Sequence, residues 1–305
     1  MPVVLVTGGY DHKIRFWEAT NGACARTLTF GESQVNCLQI SADKSLLVAG
    51  GNPLIHVFDI NGGVGADEKP ILTYDGHTSN VTAVGFQKDK KWVYSGSEDG
   101  TIRIWDPRVN VATRTYDNGV PVNTVELSPN EAELISGDQN GFVKVWDLKA
   151  DACREEYQPI PEVPVRSVSI AFDASMVAVG SQKGRLLIYT PTKEGRLELT
   201  QEISAHDDYL LKCVISPDLN SVATTSADKT IKLWNTFTWE LERTLAHHQR
   251  WVWDATFSAD SLYLVSASSD QSAKLWDLRQ GEPAKIYRAH NLAVTCVALN
   301  DSSDM

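Results

Sequence analysis

An alternating apolar segment that ends in an aromatic residue, usually followed by Asp or a close substitute, occurs seven times, and no other feature of the sequence restricts its fold so tightly. The aromatics are Trp17, Phe58, Trp105, Trp146, Tyr189, Trp234 and Trp276, with steps of 41, 47, 41, 43, 45 and 42 residues. Within each unit Val, Ile, Thr and aromatics alternate between turns rich in Gly, Ser, Asn and Asp, which predicts short strands and almost no helix. One such unit cannot bury its own apolar face, but seven packed radially can. The expected fold is all-β: a seven-bladed β-propeller with four antiparallel strands per blade, spanning residues 1–305 as one unit.

The Trp-Asp endings and the period are those of WD repeats. The third unit shows the frame most fully, with strands expected over 81–86, 92–96 and 101–105 and a tight turn at Glu98-Asp99-Gly100. The 29 residues after Trp276 and the 17 up to and including Trp17 together make about one more period. The C-terminal segment 293–299 is therefore expected to join the N-terminal blade as its inner strand, the other three strands coming from residues 3–30. Such closure would leave no free inner edge to invite aggregation. The segment Asn61 to Lys69 is assigned to a connection between blades, which accounts for the longest step.

Composition narrows the function. With 42% hydrophobic residues and nine Trp, the chain can bury a large core and is not disordered. The net charge of -11, with Lys88-Asp89-Lys90-Lys91 as the only cationic cluster, argues against nucleic acid or an anionic membrane as main partner. Five scattered cysteines (Cys24, Cys37, Cys153, Cys213, Cys296) without a Cys-x-x-Cys pair suit a reducing compartment. No basic leader and no apolar run of membrane-spanning length is present, so no direct membrane insertion is expected and the expected location is cytoplasmic or nuclear.

Three repeats carry a polar set at matching spacing: His77, Ser97, Asp99 and Trp105; His206, Ser226, Asp228 and Trp234; His248, Ser268, Asp270 and Trp276. Ser, His and Asp together suggest a nucleophile, but a set repeated once per blade suits a structural chain in which Trp donates to Ser, Ser to His, and His to Asp. No catalytic residue is therefore assigned. Around the closure His290, Asp11 and Trp17 match, with Gly9 where Ser is expected. The sets of the second, fourth and fifth units (Gly31, Gly50, Asn52, Phe58; Asn118, Asp138, Asn140, Trp146; Pro161, Ser181, Lys183, Tyr189) are not expected to build the network. His247-His248 with His206 lack ligand spacing for a metal, and Gly62-Gly63-Val64-Gly65 lacks the rest of a P-loop. No metal or cofactor is expected.

Segments that the fold does not require carry a closer likeness. Gly9-Tyr10-Asp11-His12, Ser33-Gln34-Val35-Asn36, Tyr74-Asp75-Gly76, Gly137-Asp138-Gln139, Ser226-Ala227-Asp228, Arg250-Trp251-Val252-Trp253 and Ala267-Ser268-Ser269-Asp270 closely resemble the Lst-eight family, also called G-protein-beta-subunit-like, from Gly9 to Asp301. The resemblance implies a small non-catalytic subunit of the TOR kinase complexes. It implies a scaffold seated on the C-terminal lobe of the TOR kinase domain that stabilises the kinase and narrows access to its active site. It also implies other TOR complex subunits as partners, a role in growth and nutrient signalling, a cytoplasmic location and recruitment to endomembranes through partners. An adaptor of another assembly, such as a ubiquitin-ligase substrate receptor or a G-protein-beta-like signalling scaffold, fits the fold equally well.

In a WD blade the third and fifth residues after the Gly-His position are expected on the top face. These are Gln34 and Asn36, Asn80 and Thr82, Tyr209 and Leu211, and Trp251 and Trp253. Two Trp flanked by amides suit an interface hot spot, so Gln34, Asn36, Asn80, Tyr209, Trp251 and Trp253 are the expected partner-binding residues. Packing between blades is the alternative for the two Trp, more so for Trp253.

Overall fold

The computed structural model describes residues 3–62 and 69–302. Most of the expected 61–69 connection, residues 63–68, thus lies outside the described residues, as does most of the glycine-rich stretch Gly62-Gly63-Val64-Gly65. The described residues contain no helix; 28 strands form seven four-stranded antiparallel sheets. The innermost strands are β4 (Cys37–Ile40), β8 (Val81–Phe86), β12 (Val122–Leu127), β16 (Val165–Ile170), β20 (Leu210–Ile215), β24 (Val252–Phe257) and β28 (Val294–Asn300). They touch in the cyclic order β28, β4, β8, β12, β16, β20, β24 and back to β28, so the ring is closed. The fold is a seven-bladed propeller, and blades 2 to 7 begin at β4, β8, β12, β16, β20 and β24.

Blade 1 is the split one. Its strands β1 (Val4–Gly9), β2 (Lys13–Trp17) and β3 (Cys24–Thr29) come from the N-terminus, and β28 pairs antiparallel with β1 from Val4↔Asn300 to Gly9↔Val294. Apolar clusters fill the wedges between adjacent blades. Val48, Ile55, Val57 and Tyr74 of blade 2, for example, pack on Val81, Val84, Val93 and Trp105 of blade 3. At the closure Val294 and Val297 of β28 join Leu5 and Trp17 of blade 1 and Val265, Ala267, Ala273 and Tyr287 of blade 7. The repeat aromatic thus serves as the large filler of the wedge, and Trp105 and Trp276 are fully buried.

Closure does not dispose of the inner edges. Each inner strand pairs on one side only, and its other edge faces the central channel, where unpaired backbone groups need partners. Side chains of the preceding blade supply them. The Phe86 amide donates to Gln39 Oε1 (2.6 Å), Ile170 to Glu126 Oε2 (3.2 Å), Ile215 to Ser169 Oγ (3.2 Å) and Val297 to Asp254 Oδ2 (3.0 Å).

A β-bulge marks the start of most inner strands. The register of β8, β12, β16, β20 and β24 with the next strand skips one residue, which is Thr82, Asn123, Arg166, Leu211 and Trp253 respectively; Thr295 is skipped in the same way in blade 1. A bulged residue leaves the ladder and its side chain is re-aimed. Here all six, with Asn36 just before β4, line the mouth of the channel.

Candidate partner-binding face and channel mouth

The repeated polar sets are hydrogen-bonded chains, with one correction to the sequence reading. In blade 3, Trp105 Nε1 donates to Ser95 Oγ (2.8 Å), Ser95 Oγ meets His77 Nε2 (2.7 Å), and His77 Nδ1 meets Asp99 Oδ2 (2.7 Å). The hydroxyl is Ser95, not Ser97. Thr224 likewise replaces Ser226 between Trp234 and His206, and Ser266 replaces Ser268 between Trp276 and His248. The pairing Trp105↔Val93 places Ser95 diagonally beside the indole on the same face of the sheet. Ser97 lies one pleat further on and closes the turn: its Oγ donates to the Asn80 carbonyl (2.9 Å) and accepts from the Asp99 amide (3.1 Å). Ser226 and Ser268 accept from the Asp228 and Asp270 amides in the same way.

The corrected position also completes blade 1. Thr7 Oγ1 accepts from Trp17 Nε1 (2.8 Å) and meets His290 Nε2 (2.8 Å), while His290 Nδ1 meets Asp11 Oδ1 (2.9 Å). Gly9 occupies the turn position, so its lack of a hydroxyl leaves the chain intact. Blade 4 keeps only the first link, Trp146 Nε1 to Ser136 Oγ (2.8 Å). A signal for this existed in the sequence: a Ser or Thr stands ten residues before each of these five Trp, and Val48 and Val179 stand there before Phe58 and Tyr189.

Burial pushes the His77, His248 and His290 imidazoles below their ordinary value, against the pull of Asp99, Asp270 and Asp11. Burial alone would raise the partner carboxyls; the hydrogen bonds from His and from Thr101, Thr230 or Ser272 outweigh it and hold Asp99, Asp228 and Asp270 low. In blades 3 and 7 a neutral ring donates from Nδ1 to the carboxylate and accepts at Nε2 from the hydroxyl; in blade 1 Arg15 Nη1 also lies against His290 Nδ1 (2.6 Å) and donates to Asp11 Oδ2 (2.7 Å). Ser95, Thr224 and Ser266 are fully buried and already bonded, and therefore offer no nucleophile to a substrate.

The bulged positions divide the channel mouth into two kinds. In four blades the side chain donates to a backbone carbonyl of the next blade: Asn36 to Val81 (3.2 Å), Thr82 to Val122 (2.8 Å), Asn123 to Val165 (2.8 Å), and Thr295 to Val35. Blades 5, 6 and 7 carry Arg166, Leu211 and Trp253 instead.

Above the mouth the six sequence-predicted residues fall into two groups. Gln34 Nε2 donates to Asn80 Oδ1 (3.0 Å) and Asn80 Nδ2 to Glu98 Oε2 (2.8 Å), an amide run from blade 2 to blade 3. Asn36 sits beneath it with its amide hydrogens taken by backbone. Tyr209 is T-shaped to Trp251 at 6.3 Å, and Trp251 is tilted on Trp253 at 5.4 Å, an aromatic run over blades 6 and 7. Trp251 stays 40% exposed and Tyr209 43%. Trp253 is half-buried, and its Nε1 donates to Ser269 Oγ (2.6 Å) on its own blade.

Deeper in the channel Lys212 pairs with Asp254 at 3.6 Å. Burial pushes the Glu126 carboxyl up to about 7 despite Lys212, and the Cys37 thiol up to about 12. Among the described residues no cluster of His, Cys, Asp and Glu is arranged to hold a metal.

A closed ring whose polar sets are spent on its own blades, with an open aromatic and amide face, is a WD-repeat propeller. Residues 22–59, 68–106, 111–147, 197–235 and 239–277 match the family WD domain, G-beta repeat. The unmatched stretch 148–196 contains the first three strands of blade 5, whose Pro161, Lys183 and Tyr189 depart from the set. Over nearly its whole length the chain is similar to target of rapamycin complex subunit LST8 of Saccharomyces cerevisiae (47% identity, 99% of this chain and 100% of the relative). It is also similar to target of rapamycin complex subunit wat1 of Schizosaccharomyces pombe (46%; 98% and 96%) and to LST8 of Bos taurus (42%; 99% and 96%). The chain belongs to the LST8 family of target of rapamycin (TOR) complex subunits, the family its blade-specific segments resemble.

Proposed function

We propose that this protein is a non-catalytic scaffold that binds the C-terminal lobe of a TOR kinase domain through the top face, stabilises it and shapes access to its active site. The observation that carries this reading is the aromatic run Tyr209, Trp251 and Trp253. Three other blades fill the bulged position with Asn or Thr and a fourth has Asn36 at the equivalent place, so the fold does not require a Trp there, and leaving Trp251 open to solvent has a cost that a partner would remove. Gln34, Asn36 and Asn80 form the polar flank of the contact. The names of the relatives support a TOR assembly as its setting; other complex subunits as partners, a cytoplasmic location and recruitment to endomembranes through partners belong to the same proposal. Affinity purification of the tagged chain with mass spectrometry tests the proposal: a TOR kinase is expected among the copurified proteins, and recovery of ubiquitin-ligase subunits without one would overturn it.

A further inference from the structure

We infer that the channel mouth takes a carboxylate side chain from the bound protein and that Arg166 is its receptor. The inference rests on the proposed docking of a kinase to this face and names the chemistry of one contact within it.

Arg166 is the skipped residue of the β16 bulge, which turns its side chain toward the mouth. Its Nε donates to Gln182 Oε1 (3.1 Å), and Gln182 is itself fixed by its amide on the Pro164 carbonyl (2.8 Å). Mouth residues of two other blades are steered in the same way, Asn123 by Gln139 and Trp253 by Ser269. With Nε held, the two terminal nitrogens form a fork over the mouth. Among the described residues neither makes a hydrogen bond, and no carboxylate lies within 4.0 Å of the guanidinium. Asn36, Thr82, Asn123 and Thr295, the equivalent donors, all reach the backbone of the next blade.

Arg166 is half-buried, and burial lowers its pKa against the weaker pull of Glu98 and Tyr209. Removing an unpaired guanidinium from water is costly unless a partner arrives. The nearby Glu98 already accepts from Asn80. A planar fork with two free donors matches a carboxylate in bidentate geometry. Glu98 also makes the mouth a poor place for a doubly charged phosphate, which favours an Asp or Glu side chain. The position adjoins the aromatic run, so a chain segment lying on Tyr209 and Trp251 can lower an acidic residue into the mouth.

The test uses the full chain immobilised against the purified TOR kinase, comparing the parent with Arg166→Met, Arg166→Lys and Trp251→Ala. Arg166→Met is expected to weaken binding about tenfold or more, mainly through faster dissociation, because a pair buried on binding acts on the off-rate. Arg166→Lys should fall between the two, and the melting temperature of free Arg166→Met should match or exceed the parent's. Should Arg166→Met fold poorly, Gln182→Leu, which removes only the steering, replaces it: faster dissociation supports the inference and a parental rate overturns it. Parental dissociation of a folded Arg166→Met, with Trp251→Ala losing the kinase, overturns the carboxylate receptor while docking stands. Loss of the Arg166 effect after phosphatase treatment of the kinase overturns the carboxylate in favour of a phosphate. Absence of any kinase binding by the parent overturns both readings.

Discussion

Each hydroxyl of the polar chains serves two buried groups at once, an indole N–H and an imidazole nitrogen. Ser95→Ala leaves Trp105 Nε1 and His77 Nε2 without that partner, and a stranded buried polar group costs about 1–3 kcal/mol. The unfolding free energy of Ser95→Ala, from urea titration, is therefore expected to fall by that amount; an unchanged value would show that the chain contributes nothing. The same sets make stability depend on pH. His77, His248 and His290 titrate below their ordinary 6.5 in the folded state, so below 6.5 the unfolded chain binds more protons. Their contribution is complete above 6.5 and lost as pH falls through the lower folded values. Glu126, raised from 4.5 to about 7, acts with the opposite sign between those values, and Glu126→Gln removes that contribution. Urea unfolding of Glu126→Gln at pH 7.5, 6 and 5 should show stability falling on acidification; constant or rising stability would contradict the neutral, buried rings. The His, Asp and Trp of these chains were legible from spacing alone. The hydroxyl was legible only by comparing repeats, as the Ser or Thr ten residues before each Trp; within blade 3 alone Ser95 and Ser97 share a face, and the pairing register decides which one lies beside the indole.

At the scale of the strand, the alternation and the period placed the blades, and the third unit was read almost to the residue: the expected 81–86, 92–96 and 101–105 are Val81–Phe86, Val93–Ser97 and Thr101–Asp106. The bulges were illegible, since a skipped residue has no composition of its own; Thr82, Asn123, Arg166, Leu211 and Trp253 share only a position. Counting five residues from the Gly-His position found some of them, and the same count from Pro161 reaches Arg166, hidden because blade 5 lacks that His. Closure was legible from the split period, and the register of β1 with β28 agrees with it. Deleting residues 291–305 removes Val294, Cys296, Val297 and Ala298 from the wedges beside blade 1. At about 1.5–3 kcal/mol for a large buried apolar side chain, the loss is several kcal/mol. The truncated chain should melt far below the parent or fail to fold; an unchanged melting temperature would contradict closure through β28.

The whole molecule separates structural from available chemistry. Four blades spend His, Asp, Trp and a hydroxyl on themselves, and the amides of blades 2 and 3 bond largely to one another. Blades 5 to 7 leave Arg166, Tyr209 and Trp251 toward solvent at one side of the mouth. That asymmetry is what a ring built from repeats needs in order to present one partner-specific face. The measurement that tests the central claim most directly is quantitative copurification of the tagged chain, parent against Trp251→Ala/Trp253→Ala, with the melting temperature of each recorded. The account predicts a TOR kinase with the parent, and its loss from the double variant, about 2 kcal/mol or more of binding for each anchor, while the propeller stays folded. A variant that unfolds, or one that folds and retains the kinase at parental affinity, would contradict it.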